Sequence, residues 1–136
     1  ASGLDLPHQV KGIVADCPYN APMAIICNVS DGMRIPSKLV KPFLILGARL
    51  YGGFRLRETN AAQAVANSKV PILIIHGEAD TFVPCAMSEE IFAASVGNVQ
   101  RCTFPGAEHG ISYLVDKPRY SQIVSDFMEQ VINSAG

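Results

Sequence analysis

Hydrophobic and polar positions alternate in blocks along the chain, and the blocks predict strands separated by helices. Three short apolar runs bounded by turn residues predict β-strands at residues 10–17, 70–75 and 99–104. Near the C-terminus, apolar side chains recur at helical spacing after Asp116, which we expect to cap that helix. Strands that alternate with helices indicate the α/β class, with a parallel sheet and right-handed crossovers.

The stretch between the first two strands has a different pattern. Residues 22–54 are apolar, but breaker residues interrupt them, which predicts two or three short helices. These breakers are Pro36, Pro42, Gly47, Gly52 and Gly53. We interpret residues 18–60 as a helical cap insertion within a single α/β domain spanning residues 1–136. Its apolar side chains either line a substrate pocket or simply pack its helices.

Two further helices are expected around the second strand. Asn60 is a good N-cap with Gln63 three residues on, so a short helix should run from residue 60 to 67. Pro84 suits a first helical turn and Gly97 a helix end, which predicts a helix between the second and third strands. Gly3 and Pro7 resemble a helix end, so we expect the chain to begin inside an element.

Two loop motifs carry the candidate chemistry. Asp80 stands just past the second predicted strand in His-Gly-Glu-Ala-Asp, and His109 stands just past the third in Gly-Ala-Glu-His-Gly. Between them there is room for one helix and one strand. The carboxyl ends of parallel strands meet at one edge of a sheet, where open α/β folds keep their sites. An acid followed by a histidine in this order matches the last two members of a Ser…Asp…His triad.

The two residue types suit nucleophilic catalysis. A serine hydroxyl needs an imidazole to take its proton, and the imidazole needs a carboxylate to orient it and to stabilise its charge. Asp80 also fits a simpler role, capping the helix that follows. Asp16, at the end of the first strand, is a rival for the acid, although the neighbouring Pro18 favours a role in a turn. We interpret His76 as a structural residue and His8 as a surface residue.

Composition narrows the class of protein. Hydrophobic residues make up 49% of the 136, which suits parallel strands buried on both faces. A net charge of −1 gives no basic surface for nucleic acid, and no apolar stretch is long enough to cross a membrane. Four cysteines without C-x-x-C spacing predict free thiols in a reducing, cytoplasmic compartment, with no disulfide, metal or cofactor. Cys17 and Cys85 fall near the presumed active edge, yet neither has the Gly-flanked elbow of a nucleophile.

Residues 70–84 and 104–113 resemble the α/β-hydrolase superfamily, especially bacterial single-domain esterases and peptidase-like enzymes. The H-G-x-x-D-x-x-V-P pattern of that superfamily implies that Asp80 is the catalytic acid, and G-A-x-H-G implies that His109 is the catalytic base. The segment 10–19 resembles the strand that precedes the cap. The G-x-S-x-G elbow, which carries the nucleophile in such relatives, does not occur in these 136 residues. The resemblance therefore implies the C-terminal half of a hydrolase.

The expected function follows from this resemblance. The chain would contribute to a serine hydrolase that acts on a small ester, thioester or amide through an acyl-enzyme, and it would be inactive alone. A cysteine or aspartate nucleophile on the missing elbow is an alternative, as is a non-catalytic hydrolase-like domain that serves binding or assembly. The first strand would normally pair with the strand before the elbow. We therefore expect self-association, or pairing with an N-terminal half.

Overall fold

The computed structural model describes residues 6–53 and 60–134. Within these residues the order of elements is β1 (Ile13–Asp16), α1 (Pro22–Gly32), α2 (Ser37–Tyr51), α3 (Ala61–Ala66), β2 (Ile72–Gly77), α4 (Ala86–Ala93), β3 (Val99–Phe104), α5 (Ser112–Val115) and α6 (Lys117–Ser134). The chain divides into two compact units. The sheet unit comprises Ala1–Asn20 and Ala61–Gly136, and the helical unit comprises Ala21–Asn60.

The sheet has the order β1-β2-β3, and both strand pairs are parallel. Asp16 at the end of β1 lies opposite Ile75, and Gly77 at the end of β2 lies opposite Phe104. The predicted α/β class, three parallel strands with flanking helices, is confirmed. The third strand has the predicted bounds, and β1 is shorter than predicted. β2 begins and ends two residues later than predicted, so that it includes His76 and Gly77.

Helices cover both faces of the central strand. Because side chains alternate along a strand, Leu73 and Ile75 face one side, where they pack with Phe104 and with Phe127 and Val131 of α6. Ile72 and Ile74 face the other side and pack with residues of α3, α4 and β3, namely Val65, Ile91 and Val99. All six residues of β2 are buried, as expected for a strand whose two faces are both covered.

The helical unit contains α1 and α2, and it corrects one expectation. Pro36 separates the two helices as predicted, because it directly precedes α2. Pro42 and Gly47, however, both lie inside α2 and do not end a helix. A proline within a helix removes one backbone donor, and the helix continues when the hydrogen bonds on either side suffice. None of the described residues of α2 is buried. Its exposed apolar side chains, at helical spacing, are Leu39, Phe43, Leu46 and Leu50.

The remaining helices match the sequence pattern in part. Asp116 caps α6 as predicted, because its Oδ1 accepts the N–H of Arg119 at 3.1 Å. The short helix α5 was not predicted. The predicted helix end at Gly3 lies outside the described residues, as does the predicted end of the apolar stretch at Phe54. Among the described helices, none combines the length and apolar character needed to span a membrane.

Candidate active site

Asp80 and His109 meet at the carboxyl edge of the sheet. Asp80 follows the end of β2 and His109 follows the end of β3, and these two strands are parallel neighbours. His109 Nδ1 and Asp80 Oδ2 lie 2.7 Å apart, a short charge-assisted distance. The structure thus brings together the two residues that the sequence singled out.

The two carboxylate oxygens of Asp80 have different partners. Oδ1 accepts the backbone N–H groups of Phe82 and Val83, at 2.9 and 2.8 Å, in the turn that leads to α4. Oδ2 faces His109. The side chain is fully buried. Asp80 does not cap α4, which begins at Ala86 without a side-chain cap. Instead, one oxygen holds the turn before α4 and the other pairs with His109.

The pKa of the Asp80 carboxyl is lowered in this environment. Burial alone would raise the pKa, because it penalises the charged form. The hydrogen bonds from His109 and from the Val83 amide outweigh burial, and the charge of His109 acts in the same direction. Asp80 is therefore ionised at neutral pH, as required of a residue that orients an imidazole.

His109 stands on a tight loop that leaves it partly open to solvent. Gly106 and Gly110 have φ values of 73° and 68°, in the left-handed region that glycine adopts without strain. The His109 side chain is 43% exposed, and its ring lies 5.1 Å from that of Phe82, centroid to centroid. Since Nδ1 faces Asp80, Nε2 is the nitrogen left to exchange a proton.

The loops of the acid and the histidine are joined through their backbones. The N–H of Glu78 donates to Phe104 O and the N–H of Ala79 donates to Ala107 O, both at 3.0 Å. This approach requires glycine at position 77, because a Cβ there would lie 2.2 Å from the Ala107 carbonyl oxygen. Gly77 thus fixes the spacing between the two loops.

Neither of the other candidates replaces this pair. The rival acid, Asp16, accepts a hydrogen bond from the Tyr120 hydroxyl at 3.1 Å. Burial, followed by the nearby Asp16 charge, raises the pKa of Tyr120 to about 12, so Tyr120 remains a donor. His76 is fully buried, with Nε2 2.9 Å from Val83 O and 3.3 Å from Asp80 Oδ2. His8 is exposed.

Sequence reasoning missed two contributors to the site. Phe82 was treated as part of a motif, yet its ring packs on His109. Cys17 lacks the glycine-flanked elbow of a nucleophile, yet its sulfur, an Asp80 oxygen and a His109 nitrogen all lie within 4.8 Å of one another. The position of Cys17 at a strand end was the available signal. The other three cysteines also carry free thiols.

The fold and the acid–histidine pair define an α/β-hydrolase. A family model of the prolyl oligopeptidase family matches residues 51–135, more than half of the chain. The chain belongs to the prolyl oligopeptidase family.

Two known proteins are similar to the chain in sequence. The chain is 25% identical over 122 residues to the uncharacterized protein YqkD of Bacillus subtilis, covering 89% of this chain and 40% of that protein. It is 37% identical over 54 residues to a bifunctional esterase/perhydrolase of Acinetobacter calcoaceticus, covering 40% of this chain and 20% of that protein.

Solved structures share the fold. An esterase from Pyrococcus furiosus superposes with a TM-score of 0.67 at 20% identity, covering 94% of this chain and 48% of the esterase. A thermophilic esterase from Thermogutta terrifontis gives a TM-score of 0.53 at 14% identity, covering 89% and 56% respectively. The chain therefore spans about half the length, or less, of the proteins that it matches.

Proposed function

We propose that this chain supplies the acid and the base of a serine-type hydrolase that acts on an ester, thioester or amide. The observation that carries the proposal is the 2.7 Å contact between His109 Nδ1 and Asp80 Oδ2. Its place at the carboxyl edge of a parallel sheet, where such folds bind ligands, supports the same function. Membership of the prolyl oligopeptidase family and the esterase-like neighbours agree with it.

In the proposed reaction, His109 acts first as a base and then as an acid. Nε2 takes the hydroxyl proton as the nucleophile attacks the carbonyl carbon, and the imidazolium then gives that proton to the leaving group. The acyl-enzyme is released when His109 similarly activates a water molecule. Asp80 keeps the ring in the required tautomer and stabilises its positive charge.

The nucleophile is proposed to lie in a part of the protein outside these residues. The sequence contains no G-x-S-x-G elbow, and the proteins that it matches are about twice as long or longer. The residue on the elbow decides the chemistry. Serine gives an acyl-enzyme held by an ester, and cysteine would give one held by a thioester, as in a lactone-hydrolase type of reaction. Aspartate would displace a leaving group from carbon, as in a dehalogenase type of reaction.

The test compares the chain alone with the protein that includes its preceding sequence, using an activated aryl ester. The chain alone should not exceed the buffer rate, because it provides a base and its orienter without a nucleophile or oxyanion donors. The longer protein should hydrolyse the ester, and His109→Ala should abolish turnover. His8→Ala, at an exposed histidine, is the matched control and should have no effect.

Three results would contradict the proposal. Turnover by the chain alone that disappears in His109→Ala would place a nucleophile within these residues. Turnover by the longer protein that survives His109→Ala would remove the histidine from the mechanism. A folded longer protein that is inactive on esters and peptides would favour the alternative, a non-catalytic domain for binding or assembly.

We also propose that the part of the protein outside this chain covers the open side of β1. Among the described residues, β1 pairs with β2 alone. Beside it lies an apolar groove of about 170 Å³, lined by Gly12, Val14, Phe127, Met128, Val131 and Ile132. Val14 is 43% exposed and Ile132 is 66% exposed. Unpaired strand edges with apolar flanks invite pairing, and relatives of twice the length have polypeptide available to cover them.

Sedimentation tests this second proposal. Without the remaining part of the protein, the same edge should drive self-association, so the chain alone should sediment as a dimer or larger species at micromolar concentration. Val14→Lys should shift it toward monomer, because a charge on an edge strand opposes pairing. A monomeric parent chain would contradict the proposal.

A further inference from the structure

Cys17 holds an unusual backbone conformation at the end of β1. Its φ is 50°, in the left-handed region that side chains other than glycine rarely adopt. Its N–H donates to Ile75 O at 2.8 Å, which continues the hydrogen bonding between β1 and β2. The residue is 5% exposed. Strained residues of this kind persist where the surroundings hold them, and they are common at active sites.

The sulfur of Cys17 contacts the loop that carries His109. Sγ accepts the backbone N–H of Gly110, the next residue after His109, at 3.3 Å. It lies 3.3 Å from Asp16 Oδ1, to which the thiol can donate. The single S–H can instead donate to Asp80, and a hydrogen bond from the Cys17 side chain is among the causes that lower the pKa of Asp80. One side chain thus links the ends of all three strands.

The thiol is suited to hydrogen bonding rather than to reaction. Burial raises its pKa to about 11, and Asp16 adds to the rise, whereas the N–H groups of Gly77 and Gly110 act in the opposite direction. A protonated, buried thiol is a poor nucleophile and a poor metal ligand, since both roles require the thiolate. Asp80, its neighbour, already accepts three hydrogen bonds.

We propose that Cys17 is a positioning residue whose sulfur ties the His109 loop to the end of β1 and so keeps His109 against Asp80. The consequence for catalysis rests on the function proposed above. The contact between the Cys17 sulfur and the His109 loop does not depend on that function. It can be measured on the chain without any enzymatic activity.

The experiment follows two NMR signals in the full chain and in Cys17 variants. The first is hydrogen exchange of the Gly110 amide, and the second is the low-field proton resonance of His109 Nδ1–H. Cys17→Gly removes the sulfur and tolerates the positive φ. It should speed Gly110 exchange by about fivefold, the order expected for one net hydrogen bond, and it should broaden the His109 resonance. Cys17→Ser retains a donor and an acceptor and should restore both signals.

A control separates positioning from general stability. Cys102→Ala truncates another partly buried cysteine, which lies in β3 and packs against the core. It should lower thermal stability and leave both signals unchanged. If Cys17→Gly does not fold, Cys17→Ala and Cys17→Ser provide the comparison, because they differ by one oxygen. Equal Gly110 exchange and an equal His109 resonance in the parent and in the variants without a polar atom at position 17 would overturn the proposal.

In the longer protein, the same variants distinguish this proposal from the proposed function. Cys17→Gly should lower kcat with little change in KM, and Cys17→Ser should recover kcat. Changed NMR signals in a longer protein that is inactive in its parent form would leave the positioning role standing and would refute the hydrolase. Unchanged signals in an active hydrolase would refute the positioning role alone.

Discussion

The sheet unit and the helical unit bury their apolar residues very differently. Every buried hydrophobic side chain that the structure describes, from Cys17 to Val131, belongs to the sheet unit. Among the described residues of the helical unit, Ser30 is the one classed as buried, whereas Phe43 is 76% exposed and Tyr51 is 94% exposed. The sheet unit therefore provides its own core and both members of the acid–histidine pair. In the described part of the helical unit, the apolar side chains are half-buried or exposed instead.

Substitutions in the two units should differ most in their effect on the proposed hydrolase activity. In the longer protein, Asp80→Asn should lower kcat by about 10⁴-fold, the loss typical when the orienting carboxylate of a triad becomes an amide. Asp31→Asn is the matched change in the helical unit, where Oδ1 of Asp31 accepts the Ser37 N–H at 2.8 Å. It should change kcat less than about threefold. Equal losses in steady-state assays would mean that the comparison is wrong.

Alanine substitutions at one phenylalanine of each unit should affect the free energy of unfolding very differently. Phe104→Ala should reduce the free energy of unfolding by about 3–5 kcal/mol, because Phe104 is 1% exposed and its removal leaves a cavity. Phe43→Ala should change it by less than about 0.5 kcal/mol, as is usual for surface positions. Urea denaturation monitored by circular dichroism measures both. A large loss in Phe43→Ala would show that α2 is covered in solution.

Alanine substitutions at two glycines, one in each unit, should change stability in opposite directions. Gly77→Ala should destabilise the sheet unit by about 1–3 kcal/mol, since its Cβ would meet the Ala107 carbonyl and overpacking must be relieved by movement. Gly47→Ala should stabilise α2 by up to about 1 kcal/mol, because no atom lies within 4 Å of the added Cβ and alanine is the better helix former. Thermal melts test both, and the same sign in both variants would contradict this prediction.

The smallest predicted effect is on the pH dependence of stability. The folded-state pKa of Asp80 lies below its ordinary value of 3.8. Its ionised form therefore contributes stability that is fully present above 3.8 and is lost as the pH falls through the folded-state pKa. The stability difference between the parent and Asp80→Asn should shrink as the pH falls from about 7 to about 3. A difference that stays constant in urea titrations would refute this linkage, with Asp31→Asn as the control for loss of a carboxylate.

Local pattern was sufficient to predict the sheet and the acid–histidine pair. The third strand has its predicted bounds, because a short run bounded by turn residues is a local signal. The juxtaposition of Asp80 and His109 followed from one rule, that adjacent parallel strands end at the same edge. Where a local signal was ambiguous, prediction failed. Pro42 was expected to break a helix, yet α2 continues through it.

The remainder of the site depends on contacts between distant residues. The Cys17 sulfur meets the Gly110 amide 93 residues further along the chain, and no periodicity in the sequence encodes that contact. The same applies to Tyr120, whose hydroxyl binds Asp16 across 104 residues. Such contacts depend on how whole helices and strands pack, so they can be identified only from the three-dimensional structure.

The division of roles between the two oxygens of Asp80 has a consequence for the rotational freedom of its carboxylate. Two amide hydrogen bonds to Oδ1 fix the torsion angle of the group, so Oδ2 points at Nδ1 before His109 gains its charge. Little dipolar reorientation is then required when a proton reaches the imidazole. In the proposed hydrolase the reorganisation energy of that step would already have been met during folding, by the same two hydrogen bonds that shape the turn before α4.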